Sequence, residues 1–162
     1  MKDKFILDAC CGPRMFWFNK QHPNCIYIDK RVEEKGFVIS RDKREVKPDI
    51  VMNFKNMTFP DKSFKLIVWD PPHLIHKEAK SIMGKSYGVL NPETWQYDLK
   101  KGFEECWRVL EDYGVLIFKF NSHHISFKKV LKQFPIEPLF GQKTVSKTTS
   151  ETKWFTFMKI PN

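Results

Sequence analysis

Asp70-Pro71-Pro72-His73 is the stretch of the chain whose residue types and spacing point most directly to chemistry. Two successive prolines fix φ, remove two backbone donors and press the residue before them into an extended shape. The result is a rigid turn with one carboxylate and bare carbonyls facing outward. His73 adds a ring that can stack and that titrates near neutrality. The same stretch offers a metal reading, because Asp70 and His73-x-x-His76 make three ligands and His123-His124 lie further on. That pair brings no third ligand at a required spacing, so no metal is expected and His123 and His124 read as exposed loop residues. Two more acids close short apolar runs: Asp8 after Phe5-Ile6-Leu7, and Asp29 after Cys25-Ile26-Tyr27-Ile28.

These groups need elements to hold them. Leu66-Ile67-Val68-Trp69 is too short for a helix and reads as a buried strand that stops at the prolines. In open α/β sheets the carboxyl ends of the strands face the ligand crevice. Strands are expected at 5–7, 25–28, 48–52, 66–69 and 115–120, with two closing strands near 137–140 and 153–158. After the first strand, Ala9-Cys10-Cys11-Gly12-Pro13-Arg14 is a tight loop of small residues, followed by a helix through 15–18. Asp29 ends a strand that begins about twenty residues after the first, the βαβ spacing at which an acid accepts hydrogen bonds from ribose hydroxyls. Residues 30–48 read as a charged loop with at most a small hairpin at 37–39. Residues 74–98, with Gly84, Gly88 and Pro92, read as a long loop that overhangs Asp70 and offers Tyr87, Trp95 and Tyr97 to a substrate. Phe103, Cys106, Trp107 and Leu110 mark an amphipathic helix over 99–110, stopped by Gly114; another helix is expected at 125–133.

The Asp70-Pro71-Pro72-His73 stretch resembles the Asp-Pro-Pro-Tyr type motif of amino-methyltransferases that use S-adenosylmethionine, with His73 in place of the aromatic fourth residue. Asp8 to Gly12 resembles the Asp-x-x-x-Gly-x-Gly loop of class I methyltransferases, with Arg14 where the second glycine would stand. Met57-Thr58-Phe59-Pro60-Asp61-Lys62-Ser63-Phe64-Lys65, Phe103-Glu104-Glu105-Cys106-x-Arg108-Val109-Leu110 and Trp154-Phe155-x-Phe157-Met158-Lys159 extend the likeness from Phe5 to Lys159. The chain is most similar to small, phage-type members of that class. The resemblance implies an α/β fold: one Rossmann-like domain over 1–162, a mostly parallel seven-stranded sheet with an antiparallel edge hairpin, and helices on both faces. It implies S-adenosylmethionine as cofactor, held by Asp8, Ala9, Cys10, Gly12, Asp29, Asn53, Phe54 and Asp70, with Asn53 at the adenine amine and Phe54 over the ring. It implies catalysis by Asp70, Pro71, Pro72 and His73 on an exocyclic amine of adenine or cytosine, with His73, Tyr87 and Trp95 on the substrate. In a duplex such a base must be flipped out, at a cost of a few kcal/mol.

Composition bears on the partner. The 162 residues suit one domain, and the net charge of +9 with a pI near 9.4 favours a polyanion such as DNA or RNA. Residues from Lys119 onward hold eight Lys against Glu137 and Glu151, +6 of that total. A separate recognition domain does not fit, so specificity is expected from 74–98, from the basic tail, or from a second copy or partner subunit. Cys10, Cys11, Cys25 and Cys106 show no disulfide or zinc spacing and read as reduced thiols. The opening Met1-Lys2-Asp3-Lys4 does not resemble a signal peptide, and no apolar run approaches a membrane span. A cytoplasmic protein is expected. A methyltransferase of a small molecule or protein amide, and a non-catalytic nucleic-acid-binding scaffold, are the alternatives; the charge disfavours the first and the intact Asp-Pro-Pro turn the second.

Overall fold

Side-chain alternation along each apolar run decides which faces are buried. In the computed structural model, which describes residues 3–39, 41, 43–142 and 150–161, these runs assemble into one sheet. Its strands are β1 (Ile6–Asp8), β2 (Cys25–Asp29), β3 (Ile50–Val51), β4 (Phe64–Trp69), β5 (Leu110–Asn121), β6 (Phe140–Gly141) and β7 (Thr152–Met158). They lie in the order β3-β2-β1-β4-β5-β7-β6. The first five run parallel, and β7 is antiparallel to both β5 and β6. The order reverses between β1 and β4, so the crevice opens where Asp8 and Asp70 leave the sheet.

Three helices accompany the sheet: α1 (Ile82–Tyr87), α2 (Trp95–Val109) and α3 (Phe127–Leu131). Leu99, Phe103, Cys106 and Val109 of α2 and Val130 of α3 join one core with Leu7, Ile28, Trp69, Phe118 and Phe157. Phe134 stacks on Phe103 at 4.4 Å and closes that layer. Both α2 and α3 therefore cover the same face. The expected helices on both faces are not found: the opposite face carries a small cluster of Ile6, Cys11, Cys25 and Tyr27 under Trp17, with no helix among the described residues. The helix expected at 15–18 is a series of turns. Gly12 and Arg14 both take left-handed φ, and Trp17 spends its indole N–H on Asp8 at 2.7 Å, which fixes the segment by tertiary contacts instead.

The loop expected over 74–98 contains α1 and the first residues of α2. Ser81 accepts the Gly84 N–H and starts α1, and Trp95 already belongs to α2. Gly114 does not end that helix: α2 passes directly into β5 at Leu110. The Lys159 ammonium donates to the Trp107 and Leu110 carbonyls there, doing what a terminal glycine turn would do. Residues 30–48 are closed by an antiparallel bridge between Glu33 and Val46 rather than a hairpin at 37–39. β6 is shorter and later than expected, and most of the Lys- and Thr-rich turn after it, 143–149, lies outside the described residues. All four cysteines are free, and no helix among the described residues is long and apolar enough to cross a membrane.

Candidate functional site

The strand that ends at Asp70 is anchored by Trp69, which is fully buried and tilted against Phe118 at 5.1 Å. The proline turn then projects over a cleft of about 360 Å³ whose walls include Cys10, Gly12, Phe16, Asp70, Pro71 and His73. Lys119 reaches in from β5 and donates to Asp70 Oδ2 at 2.5 Å. Burial pushes the Asp70 carboxyl up from its usual range, and the Lys119 charge and hydrogen bond pull it back. The ammonium also lies 5.4 Å from the centre of the Phe16 ring and 5.6 Å from that of Trp154. His73 is pushed down to about 4 by burial, then by Lys119 and by His123 and His124. It is a neutral imidazole at pH 7, edge-on to Phe120 at 6.3 Å.

A second cleft of about 210 Å³ adjoins the first, walled by Ala9, Asp29, Asn53, Phe54, Pro72 and Asp98 among others. Cys10, Arg31 and Tyr87 line both. Asp29 is 2 % exposed and braces the loop above it: Oδ2 accepts the Gly12 N–H at 2.9 Å and Oδ1 the Arg31 N–H at 2.9 Å. Oδ1 also accepts the Arg31 Nε–H at 3.4 Å, and Oδ2 keeps a second lone pair for a hydroxyl donor. Asn53 turns its carbonyl oxygen onto the Lys55 N–H and leaves its amide NH₂ for a ligand. Phe54 stands against Trp69 at 5.6 Å and presents an edge to the cleft. At Gly12 an added Cβ would meet only Arg31 Nη2, at 3.9 Å, so backbone φ of +45° and not crowding demands glycine. An acid, an amide and an aromatic edge in one cleft and a carboxylate in the next fit a nucleoside joined to a short charged arm.

The remaining expected residues are placed differently. Asp8 is wholly buried and lines neither cleft; its oxygens take the Trp17 indole and the Cys10 N–H, and burial pushes it up to about 7. It positions the loop from beneath. Trp95 packs beside the main core on α2, away from both clefts, whereas Tyr87 lines each. Arg14 keeps the left-handed backbone, φ 52°, that a glycine would supply there. Its guanidinium donates to the Lys20 and Lys47 carbonyls at 2.6 and 2.7 Å and lies 3.7 Å from the Tyr27 ring centre, which offsets the strain of roughly 1–3 kcal/mol.

Lys119 and Arg31 were not singled out from the sequence. Lys119 did leave a signal, as the one charge inside the apolar run from Val115 to Phe120. Arg31 left none beyond following Asp29 closely. Among the described residues no three His, Cys, Asp or Glu side chains converge as a metal site. His123 and His124 are exposed, and His124 Nδ1 accepts the Ile75 N–H at 2.8 Å.

No family profile and no curated protein matches the chain in sequence. Its fold is similar to that of a solved structure from Leishmania major described as a SAM-dependent methyltransferase, with TM-score 0.53 and 12% identity. That likeness covers 94% of this chain and 63% of the other, so the chain spans under two thirds of its structural neighbour's length. At this identity the likeness shows the fold alone.

Proposed function

We propose that the chain is an S-adenosylmethionine-dependent methyltransferase acting on an exocyclic amine of a base in DNA or RNA. One observation supports this reading: Asp70 and Pro71 line a cleft that adjoins a second one walled by Asp29, Asn53 and Phe54, in a fold similar to that of a methyltransferase. S-adenosylmethionine, when bound, supplies a methyl group from a sulfonium by in-line displacement and leaves as the neutral thioether S-adenosylhomocysteine. Asp29, Asn53 and Phe54 hold the nucleoside end of such a ligand, and the Gly12 loop lies along its arm. Asp70 Oδ1, which has no protein donor among the described residues, and the Pro71 carbonyl accept the two amine N–H groups. That grip counters delocalisation of the nitrogen lone pair into the ring and orients the nucleophile. The surplus amine proton leaves by way of the Asp70 carboxylate to solvent. Neutral His73 can stack on the base without adding a positive charge beside the sulfonium.

Titration calorimetry with S-adenosylmethionine and S-adenosylhomocysteine, followed by tritiated-methyl transfer into DNA and RNA pools, tests this. Binding is expected with both, and Asp70→Ala is expected to lose transfer while keeping S-adenosylhomocysteine binding. No binding of either ligand, or full turnover by Asp70→Ala, would overturn it.

A further inference from the structure

A larger cleft, about 780 Å³, lies where the sheet lacks its second helix layer. The segment that follows β1 forms turns, and the one that follows β2 forms a single bridge, so among the described residues no crossover helix fills this face. The cleft is lined by seven Lys or Arg residues against only Glu45 and Asp49. Asp49 is already engaged by Arg14 at 3.2 Å and lies 3.7 Å from Lys4. Arg44 is turned to the Tyr87 hydroxyl at 2.8 Å. Lys20, Lys35, Lys43 and Lys47 remain, all exposed and without a carboxylate partner among the described residues. Four like charges gathered this closely repel one another and are stabilised by an anion that spans them.

We infer that this cleft holds the phosphate backbone of a single-stranded nucleic acid and feeds its next base to Asp70. The two clefts share Gly12, Pro13 and Met15 as a common wall, so a strand on the lysines passes over that wall into the Asp70 cleft. The volume lies within the roughly 300–1,000 Å³ of pockets that enclose small molecules, enough for a short stretch of one strand and not for a duplex. Phe18, fully exposed in the same segment as Lys20, offers the stacking surface that sequence-tolerant single-strand sites use. An unpaired strand also spares the cost of base flipping. The delivery step rests on the proposed methyl transfer; the binding step does not.

Fluorescence anisotropy with a labelled single-stranded oligonucleotide of mixed sequence tests the site, on the full chain over a salt series. Lys20→Ala/Lys43→Ala/Lys47→Ala should weaken binding about a hundredfold at 0.1 M salt and make the log–log salt slope shallower by about 2, the effect of three lost phosphate contacts on a single strand. Lys62→Ala/Lys65→Ala/Lys100→Ala removes equal charge from exposed positions elsewhere and should change binding little. Equal weakening by both triple variants, no weakening by the first, or equal affinity for a duplex of the same sequence would each overturn the inference. S-adenosylhomocysteine calorimetry on the same proteins separates the two proposals. Oligonucleotide binding that depends on the cleft lysines without cofactor binding would sink only the methyltransferase reading. Cofactor binding with indifferent cleft lysines would sink only this one.

Discussion

Gly102→Ala puts the coupling between core and cleft to a test. Gly102 lies within α2, where alanine alone would favour the helix by about 1 kcal/mol. The space is not there. A Cβ would lie 2.5 Å from Trp69 Cζ2 and 2.7 and 2.8 Å from Phe54 Cδ2 and Cε2, all well inside contact distance. Trp69 is fully buried and Phe54 is 8 % exposed, so neither ring can swing into solvent. Overpacking costs about 1–3 kcal/mol in typical cores, and two rigid rings place this site at the upper end. The overlap outweighs the helix gain, leaving a net loss of about 2 kcal/mol, or a Tm lower by about 4–8 °C for a chain of this size. Thermal unfolding followed by circular dichroism reads the first effect. The second effect is on the cleft, because Phe54 forms part of its wall: S-adenosylhomocysteine affinity should fall together with Tm. Phe54→Leu in the Gly102→Ala background should recover part of the stability by removing ring atoms. A Tm equal to or above that of the parent would refute the reasoning, since helix propensity would then have beaten a contact that is not rigid.

Three further outcomes follow from named contacts. Lys119→Met removes the charge that holds Asp70 down, so the acidic limb of the methyl-transfer pH profile should move to higher pH, with activity partly recovered in alkaline buffer; an unmoved limb with lower rate would make Lys119 merely structural. Asp8 is raised in the folded state to about 7 from 3.8, so its contribution is complete below about pH 4 and is lost as pH rises through 7, a fall of up to about 4 kcal/mol. Urea unfolding of the parent and Asp8→Asn between pH 4 and 8 should show stability falling more steeply in the parent up to about pH 7, and parallel curves would contradict the assignment. Arg108 joins α2 to the loop before β4: it donates to both Glu105 oxygens and to the Phe59 and Met57 carbonyls, while Glu105 also accepts the Met57 N–H. Arg108→Ala strands the largely buried Glu105 and should cost about 3 kcal/mol in urea unfolding, and a loss under 1 kcal/mol would show that the network relaxes.

β1, β2 and β4 were legible because each is a short apolar run closed by Asp, a signal local to the run. The Asp70 turn was legible for the same reason. The long helix α2 was also visible from apolar spacing, and a helix was expected at 125–133, although the ends of both moved. What the sequence hid depends on distant partners. Residues 15–18 carry a helix-compatible apolar run, but the Trp17–Asp8 bond and the left-handed Arg14 hold them in turns. Lys119 reads as one more basic residue until β4 and β5 lie side by side and bring it onto Asp70. Asp8, Asp29 and Trp95 show the opposite difficulty. Their types and positions suit a ligand, yet Asp8 and Trp95 line neither cleft, and Asp29 braces the loop as well as lining one.

The one-sided helix layer bears on the order in which the chain opens. α2 and α3 brace β4, β5 and β7, while the amino-terminal edge relies on turns, a two-residue β3 and one bridge. Local opening therefore begins at that edge, and amide hydrogen exchange there is faster than in β5. The cleft of about 210 Å³ sits across the seam, with Asp29 and Asn53 on the looser side and Pro72, Leu90 and Asp98 on the firmer one. A ligand seated there acts as a fastener between two halves of unequal stability, and the protection it confers falls mainly on β2 and β3.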